Sequence, residues 1–278
     1  MKAPFPFERA APPVDHQATE FTRWEHHTWP ELRDRLTKMD IALLPTGAIE
    51  QHGPHLPLDI DAFDAEYLAR RVAQACAYPH PMVLPLLPYG VSYHHDEFPG
   101  TISVSNKTLA RLVHDIGLSV ARQGIKKLII INGHGDNAPT LNYAAQLINR
   151  DTGIFVAVDT GESSDTDLAR LFQTPNDIHA GEIETSTTLA VRPDVVRMDQ
   201  AVDRQLDFGS RYLDFDSPNA VPWYAHTHHL SVDGTLGNPT LADAERGRQA
   251  WEIMVAHLVT LVESLRGLSL EEIYQKRY

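Results

Sequence analysis

Short apolar runs alternate along the chain with longer segments in which apolar residues recur at helical spacing. The uninterrupted runs predict buried strands at residues 41–45 (IALLP), 82–87 (MVLPLL), 128–131 (LIII) and 154–159 (IFVAVD). The periodic segments predict helices at residues 29–38, 62–75, 107–122, 139–150, 182–191 and 240–265. Apolar strands that alternate with helices are typical of a parallel sheet covered on both faces. The pattern therefore predicts an α/β fold.

The chain is predicted to form one domain preceded by an arm. Residues 1–20, rich in proline and scattered charges, are predicted to be an extended arm, and residues 21–278 a single domain. Asn137 is predicted to cap the helix that contains Pro139 in its first turn. The irregular stretch 200–239 holds many aromatic residues and histidines, and a loop of that length in a compact domain is usually functional or interfacial.

Composition narrows the classes of function. The net charge is −13, and no basic stripe offsets it, which opposes a nucleic-acid partner. The single cysteine, Cys76, lies in a helical segment and is predicted to be a buried apolar residue, not a catalytic thiol. No run resembles a signal peptide or a membrane span, so we expect a cytoplasmic enzyme that acts on a small molecule and has no membrane partner.

Two polar clusters follow predicted strands directly. Glu50 and His52 lie two residues apart after the first strand, and Asp61 follows at the start of the next helix, where its carboxylate can bridge. His134 and Asp136 follow the third strand in the sequence LIIINGHGDNAP. Both clusters fall at the carboxyl ends of strands, where ligands bind in open α/β sheets. Imidazole and carboxylate ligands together suit Zn²⁺, Mn²⁺ or Fe²⁺.

A third cluster, DIHAGEIETS, contains His179, Glu182 and Glu184 at another junction between loop and helix. His179 and Glu184 are candidates for proton transfer or for a further metal ligand. Each cluster taken alone could be a surface accident or a helix cap. Three such clusters on one edge of a sheet favour metal binding, because unpaired polar groups are costly to bury.

The ordered motifs PTGAIEQHGPHLPLDID, INGHGDN and HAGEIETS, and more weakly GTLGNPTLADAERG, resemble the creatininase (creatinine amidohydrolase) family over residues 40 to 250. The resemblance implies a three-layer α/β/α domain, a homohexamer and a two-metal hydrolase. It makes Glu50, His52, Asp61 and His134 metal ligands, with Asp61 bridging, and it places His179 and Glu184 near the substrate.

Two departures point away from creatininase itself. Creatininase has an aromatic residue and Glu in the sequence NGHYEN, where this chain has Gly135 and Asp136. An acid thus remains at the expected ligand position, one methylene shorter. The substrate-packing tryptophans of creatininase also lack counterparts. The resemblance extends to deformylases, peptide-trimming enzymes of redox-cofactor maturation and hydrolases of cyclic sugar derivatives.

We therefore predict a dinuclear amidohydrolase that cleaves a C–N bond of a small cyclic amide by a metal-activated hydroxide, with formamide or cyclic-ketone hydrolysis as alternatives. Two divalent ions are expected, zinc first and manganese or iron as alternatives. His179 is the candidate that protonates the leaving nitrogen, and Glu184 is a candidate base, orienting group or ligand. A serine hydrolase is set aside because no Gly-x-Ser-x-Gly motif occurs.

Two other classes of protein compete with this interpretation. The sequence Gly133-x-Gly135-x-x-Ala138 follows a strand and opens a helix, as in dinucleotide-binding oxidoreductases. Asp136 and His134 argue against that class, since a carboxylate would repel a pyrophosphate. A non-catalytic metal-binding protein is the other alternative, and an enclosed metal would favour it. The histidines at 94–95, 226, 228 and 229 are predicted to line the pocket or an oligomer interface, with ordinary surface positions as the alternative.

Overall fold

The computed structural model describes residues 22–275 except Glu162 and Asp216, and of Asp165 it describes the backbone alone. The predicted arm, residues 1–20, lies outside the described residues. The described strands form one parallel sheet in the order β2-β1-β3-β4. They are β1 (Ile41–Thr46), β2 (Met82–Val83), β3 (Lys127–Asn132) and β4 (Phe155–Asp159).

The second strand is shorter than its apolar run predicts. Pro85 lies in the middle of that run and has no N–H to donate to a neighbouring strand. Leu84 N and Leu87 N still donate to the carbonyl oxygens of Leu43 and Pro45, at 2.9 and 3.0 Å. The segment therefore stays beside β1 beyond the end of the regular strand.

The helices flank this sheet. They are α1 (Trp29–Leu36), α2 (Ile60–Ala75), α3 (Asn106–Arg122), α4 (Ala138–Thr152), α5 (Asp165–Leu168), α6 (Glu182–Val191), α7 (Ala244–Arg266) and α8 (Leu270–Ile273). Helix α7 begins later than predicted, because the Asp243 side chain accepts a hydrogen bond from Arg246 N and so caps the helix there. No described helix is long and apolar enough to span a membrane.

Side chains alternate between the two faces of the buried strands. On β1, Ile41 and Leu43 join the apolar cluster that contains residues of α2 and α7. Ala42 and Leu44 join the opposite cluster, which contains residues of α3 and α4. The predicted three-layer α/β/α arrangement with a parallel sheet is thus confirmed.

Asn137 is the N-cap residue of helix α4, as predicted. It occupies the position before Ala138, but its side chain makes no capping hydrogen bond. Its Oδ1 accepts from Val91 N at 2.9 Å, and its Nδ2 donates to Gly47 O at 3.0 Å. The buried amide therefore connects the loops that follow β1, the second apolar run and β3, at the edge where the polar clusters lie.

Candidate metal centre

Two glycines allow the start of helix α2 to lie across the ends of the central strands. Gly47 follows β1 and Gly133 follows β3. A Cβ on Gly47 would lie 2.4 Å from Ala62 Cα, and one on Gly133 would lie 2.3 Å from Asp61 O. Only glycine fits such close backbone approaches. The contact places the Asp61 side chain, which is 3% exposed, at the carboxyl edge of the sheet.

Asp61 contacts the histidines of both predicted clusters. Its Oδ1 lies 3.0 Å from His52 Nε2, and its Oδ2 lies 3.0 Å from His134 Nδ1. Glu50 lies beside them, with Oε2 3.4 Å from His134 Nε2. The structure therefore brings together Glu50, His52, Asp61 and His134, all of them buried.

Backbone carbonyls orient both imidazole rings. His52 Nδ1 lies 3.1 Å from Glu50 O, and His134 Nε2 lies 2.8 Å from Val91 O. Because a carbonyl oxygen only accepts, these nitrogens carry the protons that are donated. The other nitrogen of each ring faces the Asp61 carboxylate, which is also an acceptor. This is the orientation that outer-sphere partners impose on metal-binding histidines.

Unpartnered buried oxygens show that the donor set fits a cation. Within the described part of the chain, both carboxylate oxygens of Glu50 are buried without a hydrogen-bond partner. Buried carboxylates need positive charge or hydrogen bonds to offset the cost of desolvation. Two imidazoles and two carboxylates are a ligand set for Zn²⁺, Mn²⁺ or Fe²⁺. These residues fit a divalent metal centre.

The pKa values of His52, His134 and Asp61 show that the buried carboxylates favour positively charged neighbours. Burial opposes the charged form of His52, but the carboxylates of Asp61 and Glu184 outweigh burial and raise its pKa to about 10. Burial likewise opposes the charged form of His134, whose pKa Glu50 and Asp61 raise to about 10. Burial would raise the pKa of Asp61, but His52 and His134 hold it well below its usual range. The centre thus stabilises cationic partners for its carboxylates.

The third predicted cluster lies against the same centre. His179 Nε2 donates to Gln51 O at 2.6 Å, and its Nδ1 lies 3.6 Å from Glu50 Oε1. Glu184 Oε2 accepts from Ala180 N and lies 3.9 Å from His52 Nε2. Burial raises the pKa of Glu184 to about 7, against the effect of His52. Burial, together with His52, lowers the pKa of His179 well below its ordinary value.

Asp136 is placed differently from the other predicted ligands. Its Oδ2 lies 2.9 Å from His94 Nδ1, and its side chain is 38% exposed. Burial would raise the pKa of Asp136, but the hydrogen bond from His94 lowers it. The His94 ring in turn stacks on His134, with centroids 5.7 Å apart. Asp136 therefore lies at the rim and reaches the centre through His94.

His95 and Gln51 complete the buried surroundings of Glu50. His95 was predicted only to line the pocket or an interface, and Gln51 was not predicted at all. Gln51 Oε1 accepts from Gly53 N and its Nε2 donates to Gly234 O, which fixes the orientation of the amide. The same Nε2 lies 2.8 Å from His95 Nδ1, so that ring nitrogen accepts. His95 Nε2 then carries the proton and faces Glu50 Oε1 at 3.4 Å. Burial and the neighbouring His94 lower the pKa of His95 to about 2.

A signal for His95 was present in the sequence. The pair His94-His95 follows the second apolar run, so it falls at the same edge of the sheet as the other clusters. Gln51 carried no comparable signal, because its partners come from distant segments of the chain.

Gly133, the first glycine of the sequence that resembles a dinucleotide-binding motif, is explained in the structure by a packing contact. Gly133 is required by the backbone of Asp61, as described above, and a Cβ on Gly135 would meet nothing within 4 Å. The loop between β3 and α4 is thus shaped by contact with helix α2.

Comparison with known proteins identifies the family. The family model described as "Creatininase: Creatinine amidohydrolase" matches residues 25–262. The chain belongs to the creatininase family. Its ordered motifs therefore predicted the family correctly, and the architecture agrees with it.

Three curated relatives bear the names of hydrolytic enzymes. A mycofactocin precursor peptide peptidase of Mycobacterium ulcerans is 29% identical, over 92% of this chain and 94% of its own. A creatinine amidohydrolase of Pseudomonas putida is 32% identical, over 82% and 91%. A 3-dehydro-scyllo-inosose hydrolase of Thermotoga maritima is 26% identical, over 86% and 81%. These relatives support a hydrolase, and they differ in the substrates that their names state.

Solved creatininase-family structures share the fold. A putative creatinine amidohydrolase from Bacteroides fragilis superposes with a TM-score of 0.78 at 27% identity, covering 90% of this chain and 98% of the other. A manganese creatininase has a TM-score of 0.75 at 27% identity, and a mutant creatininase described as Zn-Zn type has 0.74 at 26%. Each of these two comparisons covers 89% of this chain and 99% of the other.

Proposed function

We propose that this protein is a dinuclear metal-dependent amidohydrolase that cleaves a C–N bond of a small cyclic amide. The observation that carries the proposal is the convergence of His52 and His134 on the two oxygens of Asp61, each ring held by a backbone carbonyl. Membership of a family of hydrolases supports the reaction class. The predicted homohexamer and cytoplasmic location stay predictions.

Four buried residues would hold the ions: Glu50, His52, Asp61 and His134. Asp61 would be the ligand shared between the ions, because its two oxygens face different histidines. Asp136, through its contact with His94 beside His134, is the further ligand that we propose at the rim. Divalent ions in such a site, when bound, polarise a substrate carbonyl and lower the pKa of water.

Proton transfer falls to Glu184 in this proposal. Its side chain is 28% exposed, whereas that of Glu50 is 1% exposed, so substrate can reach Glu184 more readily. His179 is 9% exposed at its side chain, and its Nε2 proton is already donated to Gln51 O. We therefore propose that His179 orients the substrate side of the centre while Glu184 carries the proton.

A peptide bond is the second candidate substrate. Similarity to the mycofactocin precursor peptide peptidase over 92% of this chain favours it. Open space beside Gly135, where a Cβ would meet nothing within 4 Å, supports access for a substrate larger than a cyclic amide.

The test is a substrate screen with metal-loaded protein, using lactams, cyclic ureas, formamides and short peptides. We expect one class to be hydrolysed, with activity lost on chelation and restored by Zn²⁺ or Mn²⁺. Glu50→Gln and His134→Ala should lose both metal and turnover, while Glu184→Gln should lose turnover and keep its metal. His114→Ala, which alters a partly exposed pair with Asp151, is the control. Turnover that survives complete metal removal, or full turnover in Glu50→Gln, would refute the proposal.

A further inference from the structure

A second group of histidines and a carboxylate lies on the rim, outside the centre described above. Glu97 follows the short turn Tyr93–His95, and His226 and His228 flank Thr227 in the turn Thr227–His229. Glu97 Oε1 lies 2.9 Å from His226 Nδ1, and Glu97 Oε2 lies 3.1 Å from His228 Nδ1. One atom from each of the three residues lies within 4.8 Å of the others. We call this group the rim triad.

The rim triad has the chemistry and spacing of a transition-metal site. Two imidazoles and one carboxylate are typical ligands of zinc and related ions. Two ligands bound about 2.1 Å from one tetrahedral ion lie about 3.4 Å apart. The Glu97 oxygens lie 2.9 and 3.1 Å from the two imidazole nitrogens, within about 0.5 Å of that value. His226 Nδ1 is a buried atom and faces a carboxylate oxygen of Glu97 at 2.9 Å.

The residues of the triad are held in place but remain open to solvent. Thr227, between the two histidines, is 1% exposed, which anchors the turn. The side chains of Glu97, His226 and His228 are 41%, 39% and 38% exposed, so water can complete the coordination of an ion.

We propose that Glu97, His226 and His228 bind one divalent transition-metal ion of the zinc type, which ties the turn 93–95 to the turn 227–229 at the rim of the catalytic centre. The triad shares no residue with the other candidate groups in the described structure. A chain of ring contacts links it to that centre: His226 contacts Tyr224 at 5.8 Å, and Tyr224 contacts His94 at 6.3 Å. Metal at the rim therefore restrains the loop that carries His94.

Metal counting tests this proposal. The full chain is stripped with a chelator, dialysed to equilibrium against micromolar free Zn²⁺, and its bound zinc measured by elemental analysis. We expect the double variant His226→Ala/His228→Ala to bind one zinc fewer per chain than the wild type. His114→Ala is the matched control, because it removes a histidine paired with the single carboxylate of Asp151 at 2.9 Å. That control should bind as much zinc as the wild type.

Equal zinc content in the wild type and the double variant overturns the proposal. A folding defect in the double variant does not obscure the result, because Glu97→Gln keeps the size of the side chain and removes its charge. Glu97→Gln should also lose one zinc at the same free concentration, with an unchanged circular dichroism spectrum. Retention of all zinc by Glu97→Gln would likewise contradict the site.

Discussion

The central cluster and the rim triad both combine histidines with carboxylates, but they are held in different ways. At the centre, the Asp61 side chain is 3% exposed and the ring of His52 is completely buried, with its second nitrogen bound to the backbone. At the rim, Glu97 is 41% exposed and pairs directly with two histidines. Burial and fixed orientation make the centre a preorganised ligand set. The rim can exchange its partners for water at little cost.

The largest loss of turnover is expected from a change at Asp61, which contacts the histidines of both polar clusters. Asp61→Asn keeps the size of the side chain but removes the charge that both His52 and His134 face. We expect turnover to fall by more than the roughly 10–100-fold loss typical of outer-sphere changes. Bound metal should also be lost, as measured by elemental analysis. Asp151→Asn, at the surface pair with His114, should retain both. Normal metal content in Asp61→Asn would remove the basis for the comparison.

Adding a methyl group at Gly133 tests whether the close contact with the Asp61 backbone positions the metal ligands. Gly133→Ala would place its Cβ against Asp61 O, whereas Gly135→Ala, two residues away, meets nothing within 4 Å. Crowding of this kind costs about 1–3 kcal/mol of unfolding free energy. We expect Gly133→Ala to lose that stability in denaturant titrations and to bind metal more weakly. Gly135→Ala should match the wild type in stability. Similar values for the two variants would show that the contact with Asp61 is unimportant.

A smaller effect is expected from the residues that orient Glu50. His95→Ala removes the N–H that faces Glu50 Oε1 but leaves the predicted ligands in place. We expect metal affinity to fall by about 10–100-fold, as for other outer-sphere partners. Gln51→Leu should reproduce part of the loss, because Gln51 fixes the proton of His95 on the nitrogen facing Glu50. Competition with a chromophoric chelator measures the affinity. An unchanged affinity in both variants would place His95 outside the metal centre.

The sequence predicted the elements that depend on local patterns. The runs that form β1 and β3 are continuously apolar because both faces of these strands are buried, and helix α6 (Glu182–Val191) has the bounds that its periodicity predicts. Glu50, His52, Asp61 and His134 were recognisable because each follows a strand or begins a helix. Family motifs added what spacing alone could not.

Features set by contacts between distant segments were harder to predict. Asn137 has the sequence position of a helix cap, yet its amide bonds to Val91 and Gly47. Asp136 has the sequence position of a ligand, and its carboxylate lies 2.9 Å from His94, a partner from another loop that the motif did not predict. In both cases the short-range pattern identified a polar side chain correctly, but its partner depended on how the loops meet.

The centre is assembled from segments far apart in sequence, including the chain around Glu50, the start of α2, the loop after β3 and the residues before α6. No single fragment contains the proposed ligands, so an ion held by them would bind only the folded chain. A ligand that binds only the native chain adds about 2.7 kcal/mol of stability when its free concentration is 100 times its dissociation constant. If the proposed metal centre forms, metal supply would act on the lifetime of the protein in the cell as well as on its catalysis, because depletion would enlarge the unfolded population that proteases degrade.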